Sequence, residues 1–232
     1  MIVIVDYGMG NLRSVQKAFE WIGRAAEISD KPELVARAER LVVPGVGAFG
    51  DAMSALRARR LVEPIRDFCA SGRPFLGICL GLQVLFEVSE EAGGVTGVCA
   101  PPTGALEEGL ALVPGRVMRF GPEVVRRGLK VPHMGWNVVQ RMGPSALLDG
   151  MAKEGAYFYF AHSYYAAPRD EGVIVGRTDY GGWFASAVRA GNIHATQFHP
   201  EKSQAAGLAL LENFVTRTSA PSAPRASARW VS

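Results

Sequence analysis

Cys79 sits in the stretch FLGICLGLQ with Gly77 and Gly81 two residues away on either side. Glycine-x-cysteine-x-glycine at the end of an apolar run has the form of a nucleophile elbow, a sharp strand-to-helix turn that holds one side chain out of a sheet edge. Small residues beside the turn let neighbouring backbone pack against it. A thiol held there meets the positive end of the following helix, which favours its nucleophilic anion. The N–H of Leu80 is free to donate to an oxyanion. The alternative for a cysteine in an apolar run is an inert core residue, and Cys69 and Cys99 read that way. A nucleophile also needs a base. Of His133, His162, His194 and His199, only His199 lies in the sequence FHPE. Pro200 pushes its predecessor into extended geometry, in which Glu201 shares a side with His199 and can fix the imidazole tautomer. Nucleophile, base and orienter are the parts that cysteine catalysis requires.

A third stretch, PGVGAFG at residues 44 to 50, fits G-x-G-x-x-G after a strand and before a helix. A dinucleotide site would place that motif after the first strand, with an acid at a strand end about 20 residues on. Here it follows the third strand, and Glu63 and Asp67 fall within a helix. The other reading is that Gly45 and Gly47 free the backbone to present N–H groups towards Cys79 and complete an oxyanion hole. The three cysteines and four histidines show no zinc spacing.

These stretches need a sheet to bring them together, and the first half of the chain supplies one. IVIVD is a buried strand, and NLRSVQKAFEWIG is a helix with Leu12, Val15, Phe19 and Ile22 on one face. AAEIS is a strand, DKPELVARA a helix capped by Asp30, and RLVV a third strand. Two helices follow, DAMSALRARR and EPIRDFCAS. RPFLGI is then a fourth strand, and LGLQVLFEVSEE a helix starting at or just after Cys79. Such alternation means a parallel sheet with helices on both faces. Beyond Gly93, short alternating segments punctuated by Gly and Pro read as added, largely antiparallel strands, with a last helix from about Ser203 to Val215. The fold class is thus α/β, a three-layer sandwich with a mostly parallel central sheet and antiparallel strands in its second half. One domain spans 1–217, and residues 218–232 form a disordered tail.

Composition restricts the partners. The 232 residues carry 25 basic and 22 acidic side chains, but Arg217, Arg225 and Arg229 lie in the acid-free segment from Thr216 onwards, leaving a neutral body. That charge pattern is no footprint for nucleic acid. No apolar stretch reaches the ~20 residues of a membrane helix, and MIVIVDYG reads as a strand rather than a signal peptide. An odd cysteine count without CxxC pairs fits a reducing compartment. The expected location is the cytoplasm.

With these residues in hand, PGVGAFG, GICLGLQ and QFHPEKS resemble the class I (triad) glutamine amidotransferases. DYGMGNLRSV, KVPHMGWN and AHSYY narrow the resemblance to the glutaminase subunits of imidazole glycerol phosphate synthase, from histidine biosynthesis. It runs from residue 2 to about 215. The resemblance implies a Cys79 nucleophile, His199 as acid and base, Glu201 as its orienter, and oxyanion donors from Gly45, Val46, Gly47 and Leu80. It also implies that Gln83 and the backbone of His162, Ser163 and Tyr164 hold glutamine. Trp136, Asn137, Tyr159 and Lys202 would face a separate (β/α)8-barrel cyclase subunit in a heterodimer. That partner would turn PRFAR and ammonia into imidazole glycerol phosphate and AICAR. No cofactor or metal is implied. The alternatives are a subunit serving another synthase, such as anthranilate or aminodeoxychorismate synthase, and a nucleotide-binding regulatory module.

Overall fold

A computed structural model of the chain describes residues 1–91 and 106–218. Cys99 and the tail beyond Thr218 lie outside the described residues. The first half runs β1 (Ile2–Val5), α1 (Leu12–Trp21), β2 (Ala26–Ser29), α2 (Pro32–Arg37), β3 (Arg40–Gly45), α3 (Phe49–Ala58), α4 (Val62–Ala70) and β4 (Phe75–Cys79). The order β2-β1-β3-β4 is parallel throughout. The side chains of β1 show why its sequence is apolar at every position. Val3 and Val5 pack with α3 and α4 residues such as Met53 and Phe68, while Ile2 and Ile4 pack with Phe19 of α1 and the last helix. A strand buried on both faces has no polar side to alternate with.

The remaining elements are α5 (Leu80–Gln83), β5 (Phe86–Ser89), β6 (Glu107–Glu108), β7 (Val113–Arg119), α6 (Pro122–Arg126), β8 (His133–Arg141), β9 (Ala156–His162), β10 (Tyr164–Pro168), β11 (Ile174–Asp179), β12 (Trp183–Ala190), β13 (Ile193–Thr196) and α7 (Gln204–Thr216). The sheet continues from β4 through a parallel β13 and then antiparallel β12, β10 and β7, ending at β5 and β6. β11, β8 and β9 branch from β12 as an antiparallel extension. With α2, α3 and α4 on one face and α1 and α7 on the other, the architecture is the three-layer α/β sandwich that the alternation predicts.

Two expectations need correction. The helix predicted over LGLQVLFEVSEE is a single turn, α5, after which the chain becomes β5. Phe86–Ser89 pairs with β7 on one side and β6 on the other, and those ladders outweigh local helical preference. Behind Cys79 there are therefore too few aligned peptides for a large macrodipole, and the nearby free N–H groups carry what remains. Asp30 is not the cap of α2. Lys31 holds that position and Pro32 begins the helix, where a missing N–H costs nothing. The segment AYFYFAHSYY holds two strands, β9 and β10, broken at Ser163.

Candidate active site

Strand register decides where the three candidate stretches meet. Gly45 at the end of β3 lies opposite Cys79 at the end of β4, and Thr196 of β13 lies opposite Ile78. The loops after all three strands therefore leave the same carboxyl edge, where open α/β sheets bind their ligands. Cys79 has φ 56° and ψ −107°, a conformation that L residues rarely adopt. The flanking glycines make that turn possible. A Cβ on Gly81 would overlap the Val43 carbonyl oxygen, and one on Gly77 would stand 2.5 Å from the Gly81 oxygen. Gly47 has φ +113°, which leaves the PGVG backbone free to turn towards the thiol.

His199 is 2% exposed, and its Nδ1 donates to Glu201 Oε1 at 2.8 Å. The contact predicted from extended geometry is present, but its cause differs. Only His199 is extended, and Pro200–Lys202 form a 3-10 turn that brings the carboxylate back. Ser203 Oγ donates to the His199 carbonyl, and the His199 N–H bonds Tyr159 O at 2.9 Å, so β9 fixes the imidazole's backbone. With Nδ1 committed as donor, Nε2 is the free nitrogen, and it has no hydrogen-bond partner. Burial opposes a charge on this ring, yet the Cys79 thiolate and Glu201 together outweigh it and lift the pKa to about 10. The imidazole and the sulfur act on each other electrostatically, and Nε2 is the ring nitrogen left without a hydrogen bond.

Cys79 opens onto a cavity of about 190 Å³. Val46, Gly47 and Leu80 border it near the sulfur, and Gln83, His162, Ser163 and Tyr164 lie along it. Glu91 also lines it and is absent from the sequence reading, because an acidic pair at the end of a predicted surface helix carries no signal. Its Oε2 accepts from Phe49 N at 3.1 Å. Burial raises its carboxyl to about 7 against the pull of that backbone N–H. The same contact bears on the nucleotide alternative. The N-terminus of α3, where a phosphate would sit after PGVGAFG, already holds the Glu91 carboxylate.

His162 does not face the cavity with a free ring nitrogen. Its Nδ1 lies 2.8 Å from the Tyr164 carbonyl and its Nε2 lies 3.1 Å from His133 Nδ1. His133 Nε2 in turn meets Asn137 Nδ2 at 3.3 Å. A carbonyl only accepts, so His162 carries its proton on Nδ1, His133 donates from Nδ1, and Asn137 donates to His133. Trp136 is half-exposed beside Tyr159, and the Lys202 ammonium stands 5.6 Å over the Tyr159 ring. Trp136, Tyr159 and Lys202 thus share one side of the site, with Tyr159 bonded directly to the His199 main chain, whereas Asn137, next along β8, turns to His133 and the Asp179 carbonyl. Among the described residues there is no cluster of side chains fit to hold a metal, and no helix long and apolar enough to cross a membrane.

Burial depresses His133 to about 4, His162 to about 3 and His194 to about 4, against an ordinary value of 6.5. All three are neutral in the folded protein at pH 5, whereas the unfolded chain binds a proton at each. Stability is therefore expected to fall as pH drops from 6.5 towards 4, by up to roughly 3 kcal/mol per pH unit, because protonation of Glu91 in the folded state offsets one of the three. Urea unfolding at pH 7, 6 and 5 measures that slope. A flat profile over the range would refute neutral burial.

The chain belongs to the class-I glutamine amidotransferase family, whose sequence model matches residues 3–218. Within it, the chain is similar to proteins described as imidazole glycerol phosphate synthase subunit HisH. It is 52% identical over 216 residues to that of Syntrophotalea carbinolica, covering 92% of this chain and 98% of the relative. The protein of Rhodopirellula baltica is also 52% identical, with 93% and 97% covered. A solved glutamine amidotransferase matches at a TM-score of 0.66 with 20% identity, over 93% of this chain and all of the other, and shares the fold.

Proposed function

We propose that this chain is the glutaminase subunit of an imidazole glycerol phosphate synthase, releasing ammonia from glutamine for a separate cyclase chain. The observation that carries the chemistry is the buried pair His199 and Glu201 behind Cys79, which itself opens on a cavity of amino-acid size with a carboxylate, Glu91, along its wall. The particular synthase is taken from relatives about half identical over nearly their whole length. His199 Nε2 takes the thiol proton, and the Cys79 sulfur attacks the glutamine side-chain carbonyl. The oxygen becomes an oxyanion facing the backbone N–H groups of Leu80 and the Gly45–Val46–Gly47 segment. His199 then returns the proton to the departing nitrogen, leaving a glutamyl thioester and ammonia. Water deprotonated by the same nitrogen cleaves the thioester to glutamate, and Glu201 holds the imidazolium that forms in each half-reaction. Glu91 and the free Oε1 of Gln83 receive the α-ammonium, while the backbone at Ser163 and Tyr164 meets the α-carboxylate. Trp136, Tyr159 and Lys202 form the face on which the barrel docks, and the barrel completes the path from PRFAR to imidazole glycerol phosphate and AICAR. Free thiols at Cys69 and Cys79 suit the cytoplasm.

Glutamine hydrolysis by the isolated chain is expected to be weak and to rise in kcat, more than fall in KM, when cyclase and its substrate are added. Val46 sits on the exposed segment whose neighbour Gly47 tolerates either sign of φ. Its peptide can turn its N–H away from the sulfur until the partner docks. An oxyanion donor is worth about 3 kcal/mol, or a hundredfold. Val46→Pro removes that N–H and is expected to lower stimulated turnover about a hundredfold while sparing basal turnover. Stimulation by an anthranilate-type synthase instead of the cyclase would assign the chain to another pathway. Full stimulation of folded Val46→Pro would place the gate at His199.

A further inference from the structure

In QFHPE the sequence singles out His199 and Glu201, and Gln197 is left without a part. In the structure Gln197 is fully buried, and its backbone N–H bonds Ser186 O on β12 at 2.9 Å. Its Nε2 lies 3.7 Å from Cys79 Sγ, and its Oε1 lies 3.2 Å from Gln83 Nε2. Gln83 Nε2 also reaches the Tyr164 carbonyl at 2.9 Å. We propose that the Gln197 side-chain amide is a locked hydrogen-bond donor to the Cys79 sulfur and supports the thiolate that attacks substrate. This rests on Cys79 being the nucleophile.

The lock follows from which atoms can change role and which cannot. The two ends of a glutamine amide look alike, so its orientation has to be read from its neighbours. A backbone carbonyl can only accept, so the Gln83 group facing Tyr164 O is the NH2. That group has a second hydrogen, directed at Gln197, and the Gln197 atom receiving it is the oxygen. The Gln197 nitrogen is left facing the sulfur. Reversing either amide would set acceptor against acceptor or donor against donor in a buried site, where an unmade bond is costly.

The sulfur has an opposing neighbour. Ala161 O stands 4.0 Å away and can only accept, so it favours the protonated thiol. When the proton passes from sulfur to His199 Nε2, the Ala161 contact loses its hydrogen. The Gln197 bond then becomes a charge-assisted one, stronger than before. Gln197 thus acts on the ionisation step, and it needs no contact with glutamine to do so.

The test is alkylation of the full chain by iodoacetamide as a function of pH, with the modified residue located by mass spectrometry. Gln197→Met keeps the volume and loses the donor. It is expected to raise the pH midpoint of Cys79 alkylation by about one unit and to slow alkylation below that midpoint about tenfold. Gln197→Glu, isosteric and anionic, is expected to move the midpoint further and carries the comparison if the methionine variant fails to fold. In the complex with the cyclase, kcat for glutamine should fall by a similar factor with KM unchanged. A purely structural Gln197 would lower the thermal midpoint and leave the alkylation midpoint where it was, which would overturn the proposal. Undiminished glutamine turnover in Cys79→Ala would overturn both the proposal and the reading of the site beneath it.

Discussion

Cys79→Ala is expected to lose glutamine-dependent synthesis by roughly 10⁵-fold, the scale seen when a catalytic nucleophile is removed. Synthesis driven by added ammonium salt should persist in the complex with the cyclase, because only the source of ammonia is lost. The side chain is small and 5% exposed, so its truncation leaves the docking face unchanged. Measuring both activities on one preparation separates a chemical loss from a failure to assemble. Cys69 provides the contrast. Burial pushes its thiol up to about 12, which leaves it protonated and unreactive, and Cys69→Ala should alter activity only as far as it alters stability. Retention of glutamine turnover by Cys79→Ala would remove the elbow from the mechanism.

The second large effect is on folding. Gly81→Ala would drive a methyl group into the Val43 carbonyl, and neither partner can give way. Val43 is in β3, held between β1 and β4, while Gly81 is in the turn that β4 and α5 clamp. Relief requires moving one of them, so a loss above about 4 kcal/mol is expected, in the range that marks a disrupted core. Gly143→Ala is the control, since a methyl group there meets nothing within 4 Å and the backbone is not left-handed. That change should be close to neutral. Equal thermal midpoints for the two variants would show that the elbow is less tightly packed than its geometry states.

The parallel half of the sheet was legible because its strands are short apolar runs separated by amphipathic helices with clear stops. Cys79, His199 and Glu201 stood out because their spacing is chemical as well as structural. LGLQVLFEVSEE misled because a buried apolar run has no period that separates helix from strand, and the pairing that decides it comes from β7, about 25 residues on. Glu91 and Gln197 were invisible for another reason. Their positions depend on contacts with Phe49 and Gln83, far away in the chain, and nothing in their own neighbourhoods marks them. The break at Ser163 likewise owes its place to β10 pairing with β7 while β9 pairs with β8.

The Tyr164 carbonyl receives hydrogen bonds from both His162 and Gln83. That oxygen belongs to the main chain, so every amino acid at position 164 would supply it. The direction of donors on both sides, through His133 to Asn137 and through Gln197 to Cys79, is therefore anchored by an atom that no substitution removes. The donor order alone thus places no demand on the side chain at position 164, unlike at its neighbours. Residues 83, 133, 162 and 197 are tied to one another by donor and acceptor identity, and drift at one of them requires a compensating change at the next. A lineage could exchange the tyrosine and keep the polarity of the whole arrangement.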